Sequence, residues 1–187
     1  MIATSFAPQD RVSARLAEIG QEFGHGHALE LTRIEAALEA LGRPQDRLPP
    51  VIHVAGTNGK GSTCAYLRSI AEAAGLKAHV FTSPHLIRPN ERVRVAGKLA
   101  SDEQFLAALD RVAAAHVEIT YFEAITTAAF LMFADTPADM VALETGLGGR
   151  VDASNVIAKP AATIITPIDL DHAHLLGDTL GKIAAEK

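Results

Sequence analysis

The sequence predicts an α/β fold, a mostly parallel sheet flanked by helices, and three observations carry the prediction. An apolar, β-branched run, Val51 to Ala55, breaks into a glycine-rich loop, Gly56-Thr57-Asn58-Gly59-Lys60-Gly61-Ser62, and a helical pattern follows. Two further runs, Met140 to Thr145 and Ala161 to Ile168, are apolar without alternation, the mark of strands covered on both faces. Helical patterns separate the strands, as parallel pairing requires. The class is thus a P-loop-containing α/β sheet.

Each element follows from its own pattern. Val12, Leu16 and Ile19 share one helical face before Gly20; Leu31, Ile34, Leu38 and Leu41 share another, stopped by Gly42 and Pro44. Between them, Glu22-Phe-Gly-His-Gly-His27 offers two histidines in ligand-like spacing, although an ordinary loop explains them as well. Pro44 to Pro50 connects to the first strand. After the glycine loop, Leu67, Ile70, Ala71 and Ala74 predict a buried helical face ending at Gly75. Lys77 to Ser83 reads as a second strand stopped by Pro84, and Leu86 to Arg92 as a loop. Arg92 to Val95 alternates and turns at Gly97 into Leu99, a small hairpin. Ser101-Asp-Glu-Gln104 has capping-box spacing ahead of Phe105, Leu109, Val112 and Ala113. Thr120 to Ala134, apolar on most sides, predicts a sandwiched helix. Asp178 is placed to cap a last helix with Leu180, Ile183 and Ala184 inward. The pattern runs on to Lys187, so residues 1–187 read as an incomplete N-terminal domain.

Composition bounds the function. The chain has 187 residues, 48% hydrophobic and 5% aromatic with no Trp, enough for one aliphatic core. A net charge of −5 without a basic run argues against a nucleic-acid surface. No apolar run approaches the roughly 20 residues that span a bilayer, and no leader pattern opens the chain. The single cysteine, Cys64, allows no internal disulfide and suits a reducing compartment, so a cytoplasmic location is expected. Without a histidine in its motif, Cys64 reads as structural.

Strand, glycine loop, lysine and helix together cradle polyphosphate: glycines let backbone N–H groups approach oxygens, the helix N-terminus adds partial charge and the lysine a full one. The strict P-loop expression is not met, because Val54 stands at its first glycine and Gly61 follows the lysine. In open α/β sheets ligands lie beyond the carboxyl ends of strands, where the sequence puts this loop, Ser83, Glu144, and Asp169 to His172. Glu144, at a buried strand tip before Gly146-Leu-Gly-Gly149, is placed like an acid that holds Mg²⁺ against nucleotide phosphates. One carboxylate, the Ser83 hydroxyl and phosphate oxygens satisfy that hard cation.

The heptapeptide Gly56 to Ser62 resembles the nucleotide loop of folylpolyglutamate synthases and dihydrofolate synthases, within the Mur-ligase group of ATP-dependent amide-forming enzymes. The likeness continues in Thr82-Ser-Pro-His85, Glu91 to Val95, Phe122-Glu-Ala124, Glu144 to Arg150, Asp152-Ala-Ser-Asn155 and Asp171-His172, and upstream in His27 to Ile34. It spans nearly the whole chain in consistent order. The resemblance implies that Gly56, Thr57, Asn58, Gly59, Lys60, Gly61 and Ser62 bind ATP, and that Lys60, Glu144 and His172 act in catalysis. It implies Mg²⁺ on Ser83, Glu144 and His172, with Lys187 near the position of a carbamylated lysine. It implies dihydropteroate on Thr120, Phe122 and Asp152, with Ser83 to Arg94 as a covering loop. Arg88, Arg92 and Arg94 receive no role.

The implied reaction is a ligation: ATP phosphorylates the carboxylate of dihydropteroate or folate, and L-glutamate displaces phosphate. A C-terminal glutamate ligase domain, absent from this chain, belongs to that reading, as does a monomeric full-length protein. The rival readings are a Mur-type ligase of UDP-sugar peptides and a nucleotide-binding module without turnover.

Overall fold

The computed structural model describes residues 10–22 and 30–187; His25 and His27, considered above as ligands, lie outside the described residues, as does the start of the upstream stretch His27 to Ile34. Helices α1 (Arg11–Glu22) and α2 (Thr32–Ala40) lead through a 3-10 turn, Pro44–Arg47, into β1 (Val51–Ala55). Helix α3 (Lys60–Ala73), β2 (Ala78–Phe81), a 3-10 turn at Pro89–Arg92, β3 (Val93–Val95) and β4 (Lys98–Leu99) follow. Then come α4 (Asp102–Ala114), α5 (Tyr121–Ala134), β5 (Met140–Glu144), β6 (Ala162–Ile165), α6 (Ala173–Leu176) and α7 (Leu180–Ala185).

Among the described residues six strands form one sheet in the order β4-β3-β2-β5-β1-β6. β2, β5, β1 and β6 are parallel; β3 alone runs against them, and β4 turns back antiparallel to β3 in a short hairpin. The short hairpin needs no crossover, whereas each parallel pair needs a helix between its strands. Parallel register brings the ends of β1, β2, β5 and β6 to one edge of the molecule.

Two cores result. On one face a large aliphatic and phenylalanine cluster joins α1, α2, α4 and α5 to the sheet. On the other, Val54, Val80 and Ala142 meet Cys64 of α3. Helix α5 is buried at every position from Glu123 to Phe133, so it is sandwiched as its composition requires. The Ser101–Gln104 capping box forms, each side chain accepting the other's backbone N–H.

Four expectations are corrected. Helix α1 runs through Gly20 to Glu22, the fixed partners of its buried Val12, Leu16 and Ile19 outweighing one glycine's cost. In α3 the buried stripe is Cys64, Leu67 and Ala71; Ile70 is 68% exposed, because two adjacent stripes were apolar and the sheet selected the earlier. Strand β6 is apolar but largely exposed, an edge strand that no described element covers. Thr179, not Asp178, caps α7, its hydroxyl accepting the Lys182 N–H, while Asp178 pairs with Lys182 at 2.8 Å; of the three residues expected inward, Ile183 is buried and Leu180 and Ala184 are exposed.

Candidate nucleotide and acceptor site

The glycine loop is fastened to the strand beside it. Thr57 and Asn58 N–H groups donate to Pro167 O at 3.1 Å each, the Thr57 hydroxyl donates to Asp169 O, and the Asp169 N–H donates back to that hydroxyl at 3.0 Å. Gly56 has φ +137°, and a Cβ there would stand 1.9 Å from Thr166 Oγ1, so the loop's close approach to β6 demands glycine. Gly59, at φ +86°, begins α3 without a side-chain cap, leaving the first-turn N–H groups of a 14-residue helix to an outside acceptor. Lys60 Nζ folds back to donate to Gly56 O at 3.0 Å and Thr57 O at 3.2 Å. Gly61 and Ser62, in the first turn, are exposed.

Glu144 stands beside this loop: a Cβ on Gly61 would lie 3.6 Å from its Oε2. Its side chain is buried, and Oε2 accepts the Ser83 N–H at 3.2 Å. Burial raises its pKa above the ordinary carboxylate value, opposed by that hydrogen bond and by the charges of Lys60 and Arg92. A desolvated carboxylate with one hydrogen bond and no ion pair among the described residues suits a divalent cation, and Ser83 shares its cavity of about 350 Å³. The oxygen donor set fits Mg²⁺.

A larger cavity, about 430 Å³, opens next to that corner and brings Ser83, Thr120, Phe122 and Asp152 together with Arg92 and Gly146. Thr120 caps α5, its hydroxyl accepting the Glu123 N–H while Glu123 Oε2 accepts the Thr120 N–H at 2.6 Å. Phe122 lies over Gly146 so closely that a Cβ there would meet its ring at 2.4 Å. Asp152 is buried and already engaged: Oδ2 accepts the N–H groups of Gly146 and Leu147, and Oδ1 accepts both the backbone N–H and the hydroxyl of Ser154. It therefore shapes the loop after Glu144 as well as lining the cavity. Ser154 Oγ in turn meets His53 Nε2 at 2.8 Å; because the serine proton goes to Asp152, His53 is the donor.

Two expected ligands have other contacts. His172 is half exposed, 3.6 Å from Asp171 and 6.3 Å between ring centres from His174. Among the described residues no three His, Cys, Asp or Glu side chains converge as a metal cluster. Lys187 Nζ donates to Gly56 O at 2.8 Å, the carbonyl that Lys60 also uses. Burial, with Lys60's charge next, lowers the Lys187 pKa. Cys64 is buried under α3 with its thiol pushed up to about 12, first by burial, which agrees with a structural role.

Sequence reasoning passed over three cavity residues. Arg33 and Glu123 form an ion pair at 3.1 Å behind Thr120, and the Thr-x-x-Glu spacing of a capping box was the signal for Glu123. Arg92, to which the sequence assigns no role, is 9% exposed and lines the cavity. Nothing in its local sequence marks burial.

Residues 54–187 match the Mur ligase middle domain. The chain is 44% identical over 167 residues to the dihydrofolate synthase/folylpolyglutamate synthase of Bacillus subtilis, covering 84% of this chain and 38% of that protein. The structure of E. coli FolC in complex with DHPP and ADP superposes with a TM-score of 0.88 at 38% identity, over 96% of this chain and 44% of that one. A bifunctional folylpolyglutamate synthase/dihydrofolate synthase with Mn, AMPPNP and L-glutamate bound superposes with a TM-score of 0.81 at 38% identity, over 96% of this chain and 44% of that one. The chain thus spans less than half the length of these relatives.

Proposed function

Because this chain belongs to the Mur ligase family, matching its middle domain, we propose that it forms the N-terminal ATP-binding part of a ligase that joins L-glutamate to dihydropteroate or folate. One observation carries the reading: the Lys60 loop, the Glu144 carboxylate and the aromatic cavity abut at one end of the sheet, so a phosphoryl donor and an acid acceptor meet there.

The loop N–H groups of residues 56–62 and Lys60 hold the nucleotide phosphates and offset the negative charge that develops during phosphoryl transfer. Glu144 and Ser83 hold Mg²⁺, with His172, and Lys187 once carbamylated, as further ligands in this proposal. When bound, the ion neutralises phosphate oxygens. Lys187, whose Nζ donates to Gly56 O, would have to give up that bond, lose its proton and add CO2 before the resulting carbamate oxygens could serve as ligands. Thr120 and Asp152 set the cavity wall, and Phe122 offers a ring face to a flat heterocycle. The acceptor's carboxylate, brought up to the γ-phosphoryl group, becomes an acyl phosphate that the glutamate amine displaces. No protein nucleophile is needed. The glutamate-binding domain lies outside this chain, the full-length protein is a monomer in the cytoplasm, and nucleic acid and membrane are not partners; among the described residues no helix is long and apolar enough to cross a membrane.

Titration with dihydropteroate and with UDP-MurNAc-peptide tests the acceptor. Saturable binding of the first alone is expected, and preference for the second overturns the reading. In the full-length protein, phosphate release should need both dihydropteroate or folate and L-glutamate.

A further inference from the structure

Arg92 ends the 3-10 turn Pro89–Arg92 just before β3, and it is buried, lining the cavity wall rather than standing in solvent. Its Nε donates to His85 Nδ1 at 2.8 Å, and its guanidinium carbon lies 6.0 Å from the centre of the Tyr121 ring. Among the described residues no carboxylate comes within ion-pair distance of it. The contrast with Arg33, which lines the same cavity, is informative: Arg33 is paired with both Glu123 and Glu30. A buried cation held by a neutral histidine and a ring face is under-compensated, and such a charge is costly unless an anion completes it.

The cavity is otherwise walled by Tyr121, Phe122, Pro84 and Leu147, which suit a flat apolar body. Ser83, whose N–H Glu144 accepts at 3.2 Å, lines the same cavity as Arg92, and the charges of Arg92 and Glu144 influence each other. We propose that Arg92 is the residue that seats the acceptor's carboxylate, through the parallel N–H groups of its guanidinium, at the end of the cavity facing the Lys60 loop. This rests on the acid-acceptor reading above and adds to it the group that orients the acid. His85 and Tyr121 are positioning residues: they fix the plane of the fork so that its free edge meets two carboxylate oxygens.

The test is a calorimetric titration of this chain, with Mg-nucleotide present, using pteroic acid and its carboxamide. The wild type should prefer the acid by about tenfold or more, the scale of a charge-assisted bidentate pair. Arg92→Met should bring the two affinities together, and Arg92→Lys should keep part of the preference, while nucleotide affinity stays at the wild-type value in both. An unchanged preference in Arg92→Met overturns the proposal. So does a wild type that binds acid and amide alike, a result that leaves the acceptor reading standing. Binding of neither compound removes both. If Arg92→Met does not fold, the wild-type ratio and Arg92→Lys still decide.

Discussion

Replacing Gly56 with alanine should loosen the whole nucleotide edge, and the cost can be built from its neighbours. The residue holds φ +137°, outside the range L side chains adopt readily, for which about 1–2 kcal/mol is a fair charge. The added Cβ would lie 1.9 Å from Thr166 Oγ1 and 2.9 Å from Thr166 N, so Thr166 must move. That movement breaks a hydroxyl bond to Ala55 O, 3.2 Å long, which contributes roughly 1 kcal/mol. It also pulls on the Thr166 N–H to Ala55 O bond, 2.8 Å, through which β6 closes on β1. Together these predict a loss of about 3 kcal/mol, a large part of the roughly 5–15 kcal/mol that holds a domain. Urea denaturation of Gly56→Ala, Thr166→Ala and the double variant measures it as a cycle. Because Thr166→Ala removes the atom in worst contact, the double variant should recover about 1–2 kcal/mol of coupling. A single variant within about 0.5 kcal/mol of wild type, the ordinary scatter of harmless substitutions, or a cycle with no coupling, refutes the steric account.

Lys60→Met should weaken nucleotide binding by roughly ten- to a hundredfold, the worth of one charge-assisted contact, as read by fluorescence titration; an unchanged affinity removes the loop from the site. Glu144→Gln should abolish the dependence of nucleotide affinity on Mg²⁺ while sparing metal-free binding, and a retained magnesium effect would place the ion elsewhere. His79 is buried, accepts the Ala96 N–H on Nδ1 and contacts Thr136 O through Nε2; burial lowers its pKa from 6.5, and the Thr136 bond opposes this. The neutral form is the one the fold keeps, so its contribution is full above the unfolded value and lost as pH falls through the lower folded one. Chemical denaturation between pH 7 and 5 should show that slope flattened in His79→Gln. The Cys64 thiol should resist a thiol reagent in the native protein and react at once in urea; fast native labelling contradicts its burial.

Much of the fold was legible because it depends on local pattern. The run Val51 to Ala55 became β1 without a residue's shift, while the last three residues of the glycine stretch, Lys60 to Ser62, form the first turn of α3. The Ser101 capping box needed only its four residues. Patterns that admitted two solutions were settled elsewhere. The stripes through Cys64 and through Ile70 are equally apolar, and the sheet's position chose between them. Apolar content alone marked β6 as covered, yet coverage is a property of its neighbours. The candidate site divides the same way: Lys60 and Glu144 were readable as a loop lysine and a strand-tip acid, whereas Arg92 carries no local sign of its burial.

What the sequence determined by itself is chemistry tied to short spacing: where strands end, where helices are capped, and which loop presents glycines and a lysine to an anion. Tertiary structure alone decided which distant groups meet. It set Glu144 beside Gly61, closed Phe122 over Gly146 and buried Arg92 in the wall they share. The physical reason is range: hydrogen bonding and periodicity act within a few residues, while burial and electrostatic neighbourhood are fixed only when separate strands pack at one edge of the sheet.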